Sequence, residues 1–185
     1  MLKKFVSTAA LCLCIAAPAF AADDAIRTIS FGILSTEQSQ PQRPDWLPVL
    51  QDLSKKLGIR VTVFFASDDA DIIEAMRLNK VQVAWMGNKS AIKAVGRACG
   101  EVFAQSVNGN SAADPLVRRK DLPSDLKAKI RDFLLAYGRS GPNMAQEKSV
   151  LAKLAFGSFR ESSNAQLKPA RPDEAARKQI IVATY

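Results

Sequence analysis

Three carboxylates within four positions, Asp68, Asp69 and Asp71, form the densest group of possible ligands in the chain. A cation would suit their charge, but the sequence contains no histidine. The glycine spacing of an EF-hand loop is also missing. The simpler reading is a helix start, where acids complement the positive end of the helix dipole. A second group is Met86-Gly87-Asn88 with Ser90, and a third is the polar run that begins at Ser35-Thr36. Nucleophilic catalysis has nothing to build on: there is no histidine base and no G-x-S-x-G elbow. No catalytic residue, metal or cofactor is expected. Hydroxyls, an amide and backbone N–H groups suit binding chemistry instead.

The elements that must position these groups alternate. Thr28 to Leu34 reads as a first strand that runs into Ser35-Thr36. Trp46, Val49, Leu50, Leu53 and Leu57 recur at helical spacing, with Gly58 as the stop. A second strand covers 61–65, and the acidic group opens a second helix whose core face is Ile72, Ile73 and Met76. Asn79-Lys80 ends that helix, and a short buried strand is expected over 81–85. Met86-Gly87-Asn88 leaves its carboxyl end, and Ser90 is expected to cap a third helix from about residue 91. In open α/β sheets, ligands bind outside the carboxyl ends of the strands, often at a helix N-terminus. That rule makes this run one wall of a cleft.

A fourth strand over 101–107 continues the β-α alternation, which implies a mostly parallel sheet covered by helices. The next strand, 114–118, breaks it. Only six residues separate the two strands, whereas a parallel return needs a crossover of about a dozen. With Asn108-Gly109 as a turn signal, the two strands should run antiparallel. Pro123 suits the first turn of a helix striped by Leu126, Ile130, Phe133, Leu134 and Tyr137 up to Gly138. A shorter helix follows near 146–154, then Phe156-Gly157-Ser158-Phe159-Arg160 reads as an irregular, partly apolar arm. The tail from Asn164 is polar and weakly helical.

Bulk properties narrow the setting. Lys3-Lys4, an apolar run and Ala19-Phe20-Ala21 read as a cleavable export signal over 1–21, which predicts a periplasmic product. No later stretch approaches the roughly 20 apolar residues of a membrane span. The sole cysteine beyond that signal is Cys99, placed with Ile92 and Val95 at helical spacing and therefore expected to be a small buried hydrophobe. Residues 22–113 balance 10 Lys+Arg against 10 Asp+Glu, whereas 114–185 hold 14 against 8. Arg118-Arg119-Lys120 is the tight basic cluster. No aromatic residue is interleaved with it, so a solvated basic face is expected rather than nucleic-acid binding.

The residues that carry a resemblance are now in view. Phe31-Gly32-Ile33-Leu34-Ser35-Thr36-Glu37, Met76-Arg77-Leu78-Asn79-Lys80-Val81, Ala84-Trp85-Met86-Gly87-Asn88 with Ser90-Ala91, and Val102-Phe103-Ala104-Gln105 resemble periplasmic phosphonate-binding proteins of ABC importers. Asp114-Pro115-Leu116-Val117-Arg118-Arg119-Lys120-Asp121-Leu122, Ile130-Arg131-Asp132-Phe133 and Phe159-Arg160 with Ser162-Ser163 resemble the later part of the same family. The resemblance implies a two-lobed clam closing on its ligand, yet 164 residues beyond the signal cannot hold two lobes of ordinary domain size.

The expected organisation is therefore a single periplasmic-binding-protein-like α/β lobe, mostly parallel with one antiparallel return strand and C-terminal helices. The expected divisions are a signal at 1–21, a first-lobe segment at 22–107 and a short turn at 108–113 in place of the second lobe. A return strand and helices at 114–160 complete the lobe, followed by a polar tail at 161–185. The positions where the family places ligand-facing tyrosines correspond here to Asp69 and Met86. The resemblance thus gives a candidate wall of Ser35, Thr36, Asp69, Met86, Gly87, Asn88 and Ser90. It implies a small anionic ligand, a phosphonate or a relative, and an ABC transporter permease as partner. Impaired binding is expected, because aspartate repels a phosphonate and methionine offers no comparable donor. A cleft wall left uncovered predicts self-association. The alternatives are a one-lobe module for another anion or a protein partner, or an inactive folded fragment.

Overall fold

The computed structural model describes residues 26–34, 42–109 and 111–167. The expected export signal, Ser35, Thr36 and most of the expected polar tail lie outside the described residues. Strand β1 (Thr28–Leu34) buries Ile29, Phe31 and Ile33 on one face, which is the period-2 pattern of its sequence. Helix α1 (Gln42–Leu57) carries Pro48 in its interior. A proline there costs about 3 kcal/mol. Trp46, Val49, Leu50 and Leu53 are at most 2% exposed, and at about 1.5–3 kcal/mol each their burial outweighs that cost. Gly58, with φ +69°, ends the helix.

Strand β2 (Arg60–Ala66) and helix α2 (Asp69–Arg77) follow. Strand β3 is only Val83–Trp85, shorter than the expected 81–85, although Val81 is fully buried. Helix α3 is Asn88–Arg97, strand β4 Gly100–Asn108 and strand β5 Ser111–Arg119. Helix α4 (Ser124–Ala136) starts one residue after Pro123, and α5 is Met144–Lys153. Strand β6 (Ser158–Glu161) and a single 3-10 turn, Asn164–Gln166, close the described chain.

The sheet order is β2-β1-β3-β5-β4-β6. Strand β1 is parallel to β2 and β3, whereas β5 is antiparallel to β3 and β4. The β4–β5 connection is a hairpin in which Asn108 pairs with Ser111 and Gly109 adopts φ +57°, as the short connection predicts. Strand β5 thereby inserts between β3 and β4. Helices α1, α4 and α5 cover one face of the sheet, and α2 and α3 the other.

Three expectations are corrected. The irregular arm at 156–160 contains β6, antiparallel to β4 and centred on Phe159, which is fully buried. The sheet therefore has two strands against the parallel direction, not one. Cys99 is exposed with φ +54°, because α3 ends at Arg97 and the helical spacing never reaches it. Arg118-Arg119-Lys120 is not a solvated face either. Arg118 donates to the Glu101 carboxylate at 2.8 Å and to the Lys127 carbonyl at 2.7 Å, and lies over the Phe103 ring. Arg119 is 8% exposed, pairs with Asp121 and donates to the Met76 carbonyl, tying β5 to the end of α2. Lys120 alone of the three is exposed.

Candidate ligand-binding face

The carboxyl ends of β1 and β3, the N-termini of α2 and α3 and the start of β5 meet at one rim of the sheet. Asp68 is the N-cap of α2, its carboxylate accepting from the Asp71 N–H at 2.9 Å. Asp69, the next residue, faces inward. One of its oxygens accepts a short hydrogen bond, 2.5 Å, from the Ser90 hydroxyl. Its other oxygen is buried with no hydrogen-bond partner among the described residues. Asp114, half-buried at the start of β5, is close enough to feel that charge. Burial pushes the Asp114 carboxyl up, and repulsion from Asp69 adds to it.

Ser90 does not cap α3. The N-cap is Gly87, which has no side chain to offer, and both the Ser90 and Ala91 N–H groups bond to the Gly87 carbonyl at 3.0 Å. Ser90 is the third residue of the helix, 8% exposed, and its hydroxyl ties α3 to α2. Met86 also departs from expectation: it is 2% exposed, packed among Ala66, Val81 and their neighbours, and cannot present its side chain to a ligand. The reason is its register. Its backbone N–H bonds to the Pro115 carbonyl at 3.2 Å, continuing the β3–β5 pairing. Gly87 is partly exposed and Asn88 exposed. An added Cβ at Gly87 would meet nothing within 4 Å, so this glycine is not required by crowding. Ser35 and Thr36 fall outside the described residues. The structure thus brings together Asp69 and Ser90 beside Gly87 and Asn88, and removes Met86 from the wall.

Sequence reasoning missed Asp114, which joins Asp69 only through the β5 insertion. It also missed two buried indole N–H donors, Trp46 on α1 and Trp85 at the end of β3, without partners among the described residues. Their shared aromatic packing (centroids 5.7 Å apart) gives no sequence signal beyond apolar periodicity. Chemically, the rim offers the N-terminal end of α3 ahead of Ser90, where the positive end of the helix dipole favours an anion. It opposes them with two carboxylates. Among the described residues no group of three or more His, Cys, Asp or Glu is arranged around a metal.

A single sheet with this strand order, covered on both faces and carrying its candidate site at the strand ends, is a lobe of the periplasmic-binding-protein type. The comparisons with known proteins agree. Residues 31–114, somewhat under half of the chain, match the family of phosphonate periplasmic substrate-binding proteins of ABC transporters. It is 41% identical over 177 residues to the phosphonates-binding periplasmic protein of Escherichia coli (strain K12), a match covering 88% of this chain and 52% of that protein. The chain therefore spans about half the length of that relative. A binding-protein component of an ABC phosphonate transporter from Pseudomonas aeruginosa superposes with TM-score 0.71 at 27% identity, covering 85% of this chain and 89% of that one. A Prochlorococcus marinus protein solved in complex with methylphosphonate superposes with TM-score 0.62 at 10% identity, covering 83% and 98%, and shares the fold. These relatives are substrate-binding proteins rather than enzymes. Among the described residues no helix is long and apolar enough to cross a membrane.

Proposed function

We propose that this chain is an extracytoplasmic solute-binding component of a phosphonate importer reduced to one lobe, in which ligand binding is weakened. The observation that carries the reading is the β4–β5 hairpin, where Asn108 pairs directly with Ser111 and leaves no connection long enough for a second lobe. The half-length sequence match to the Escherichia coli protein supports it; the structural match over 89% of the Pseudomonas aeruginosa chain weighs the other way. The domain divisions, export and cleavage after residue 21, a periplasmic site of action and a permease partner belong to the same proposal.

The candidate ligand groups are Ser35, Thr36, Gly87, Asn88 and the N-terminal turn of α3 at Ser90. Of these, Gly87 is partly exposed and Asn88 exposed, so a ligand there would meet groups that stay hydrated. Asp69 and Asp114 place negative charge where a phosphonate would lie. Their charge also favours the alternative of a one-lobe module that takes a different ligand. The exposed rim is the surface through which two copies would self-associate, and sedimentation over a wide concentration range tests that.

Hydrogen bonds to a charged group are worth about 1.5–3 kcal/mol each. Losing two or three with the second lobe costs about 3–9 kcal/mol, or roughly two to six decades in affinity. Calorimetric titration of 2-aminoethylphosphonate into the purified chain should therefore show binding weaker by at least about a hundredfold than a two-lobed relative titrated alongside. Submicromolar affinity would overturn the one-lobe argument. Asp69→Asn should improve binding modestly by removing repulsion, whereas Met86→Tyr should not, since a larger ring there must enter a packed interior.

A further inference from the structure

We infer that the outer face of α3, with the groove between α2 and α3, is a docking surface for an acidic, partly apolar segment of a partner protein. The inference does not depend on phosphonate binding. Lys89, Lys93 and Arg97 recur at i, i+4 and i+8, so they lie in one row over about 12 Å of helix. All three are exposed, and none has an ion-pair partner among the described residues. Helix α3 contains no acidic residue. Three other helices pair cations with their own acids: α1 pairs Lys55 with Asp52, α2 pairs Arg77 with Glu74, and α4 pairs Lys129 with Asp125. Helix α5 also carries two exposed lysines without an ion pair among the described residues, Lys148 and Lys153, but they are five positions apart and border no such groove.

The row does nothing for the stability of α3. Like charges four residues apart repel, and Lys89 sits in the first turn, at the positive end of the helix dipole. Beside the row runs a groove of about 260 Å³ with Ala70 and Ile73 in its wall and Arg77, Lys93 and Arg97 along its edges. Glu74 and Arg77 pair with each other, and Asp69 accepts from Ser90, so Lys93 and Arg97 are the groove cations left without an ion-pair partner among the described residues. The larger groove of about 710 Å³ between α1, α4 and α5 is different, since Asp52, Asp132 and Glu147 balance Lys55, Lys56 and Lys129 there. An unbalanced cationic row beside a partly apolar groove matches a segment that alternates carboxylates with apolar side chains. A flat anionic bilayer would touch the row and leave the groove unfilled.

The test is fluorescence anisotropy of a labelled peptide of alternating glutamate and leucine, titrated with the full chain at low and high salt. Saturable binding that weakens with salt is expected. Lys93→Glu/Arg97→Glu should weaken it at least about tenfold, the loss of two exposed ion pairs. The neutral pair Lys93→Gln/Arg97→Gln should weaken it less. Lys148→Glu/Lys153→Glu, the same charge change on exposed positions of α5, should leave it intact. Circular dichroism confirms that each variant is folded. Equal weakening by the α5 variant would reduce the effect to net charge and overturn the inference. So would an absence of saturable binding, or binding to phosphatidylglycerol vesicles with none to the peptide.

Discussion

The two faces of the sheet are packed by different means. Beneath α1, α4 and α5 the interior is aromatic: Trp46 lies 5.1 Å from Phe31, 5.7 Å from Trp85 and 5.9 Å from Phe156, ring centre to ring centre. Phe159 and Tyr137 are almost wholly buried in the same cluster. Beneath α2 and α3 the interior has no buried ring and is rich in alanine: Ala66, Ala75, Ala84, Ala91, Ala94 and Ala98 share it with Ile72, Met76, Met86 and three valines. Large rings bury much area but hold helices off the sheet. Small residues bury less and let the backbones approach closely. The candidate site belongs to the second kind of packing. Only there are two helices close enough for the Ser90 hydroxyl to reach the Asp69 carboxylate. One face supplies stability, and the other supplies position.

The largest expected effect tests the aromatic face. Phe159→Ala removes a fully buried ring that packs 5.8 Å from Phe156, and should cost about 3–5 kcal/mol in urea unfolding. A loss below about 1 kcal/mol would mean that this face can collapse onto a cavity, and would erase the contrast. The next effect tests the close-packed face. A Cβ on Gly32 would stand 2.8 Å from Ile72 Cγ2 and 3.1 Å from Val81 Cγ1, so Gly32→Ala should cost about 1–3 kcal/mol through overpacking. Gly96, on the outside of α3, is its control, because an added Cβ there meets nothing within 4 Å. Gly96→Ala should therefore stabilise by up to about 1 kcal/mol. If both substitutions move the urea midpoint the same way, the proximity of α2 to the sheet is not what Gly32 protects.

The smallest effect is electrostatic. Burial and Asp69 raise the Asp114 carboxyl above its ordinary range. A carboxyl raised in the folded state is destabilising once ionised. The penalty is absent below the unfolded-state value and is complete above the folded-state value. Asp114→Asn should thus stabilise the protein near neutral pH, with the gain fading as the pH falls into the carboxylate range. Urea unfolding across pH measures this directly. A pH-independent difference between the two proteins would show that Asp114 acts through packing alone.

Much of this molecule is legible in the order of its residues. The stripes of α1 and α4, from Trp46 to Leu53 and from Leu126 to Leu134, are local patterns, and local spacing decides which side of a helix is apolar. The antiparallel return of β5 follows from chain length, because six residues cannot cross a sheet. The Phe31 and Trp85 runs likewise announce the strands and carry the resemblance to phosphonate-binding proteins. Tertiary structure decided the rest. It placed β5 between β3 and β4, which brings Asp114 to Asp69 across 45 positions of sequence. It turned Arg118 and Arg119 inward to Glu101, Asp121 and the Met76 carbonyl, dissolving a cluster that looks solvated on paper. It buried Met86, against the wall position that the resemblance implies, and exposed Cys99, against its helical spacing. The physical reason is common to all four. Periodicity fixes which face of an element is apolar, but which open strand edge or stranded charge meets which partner depends on contacts between segments far apart in the chain.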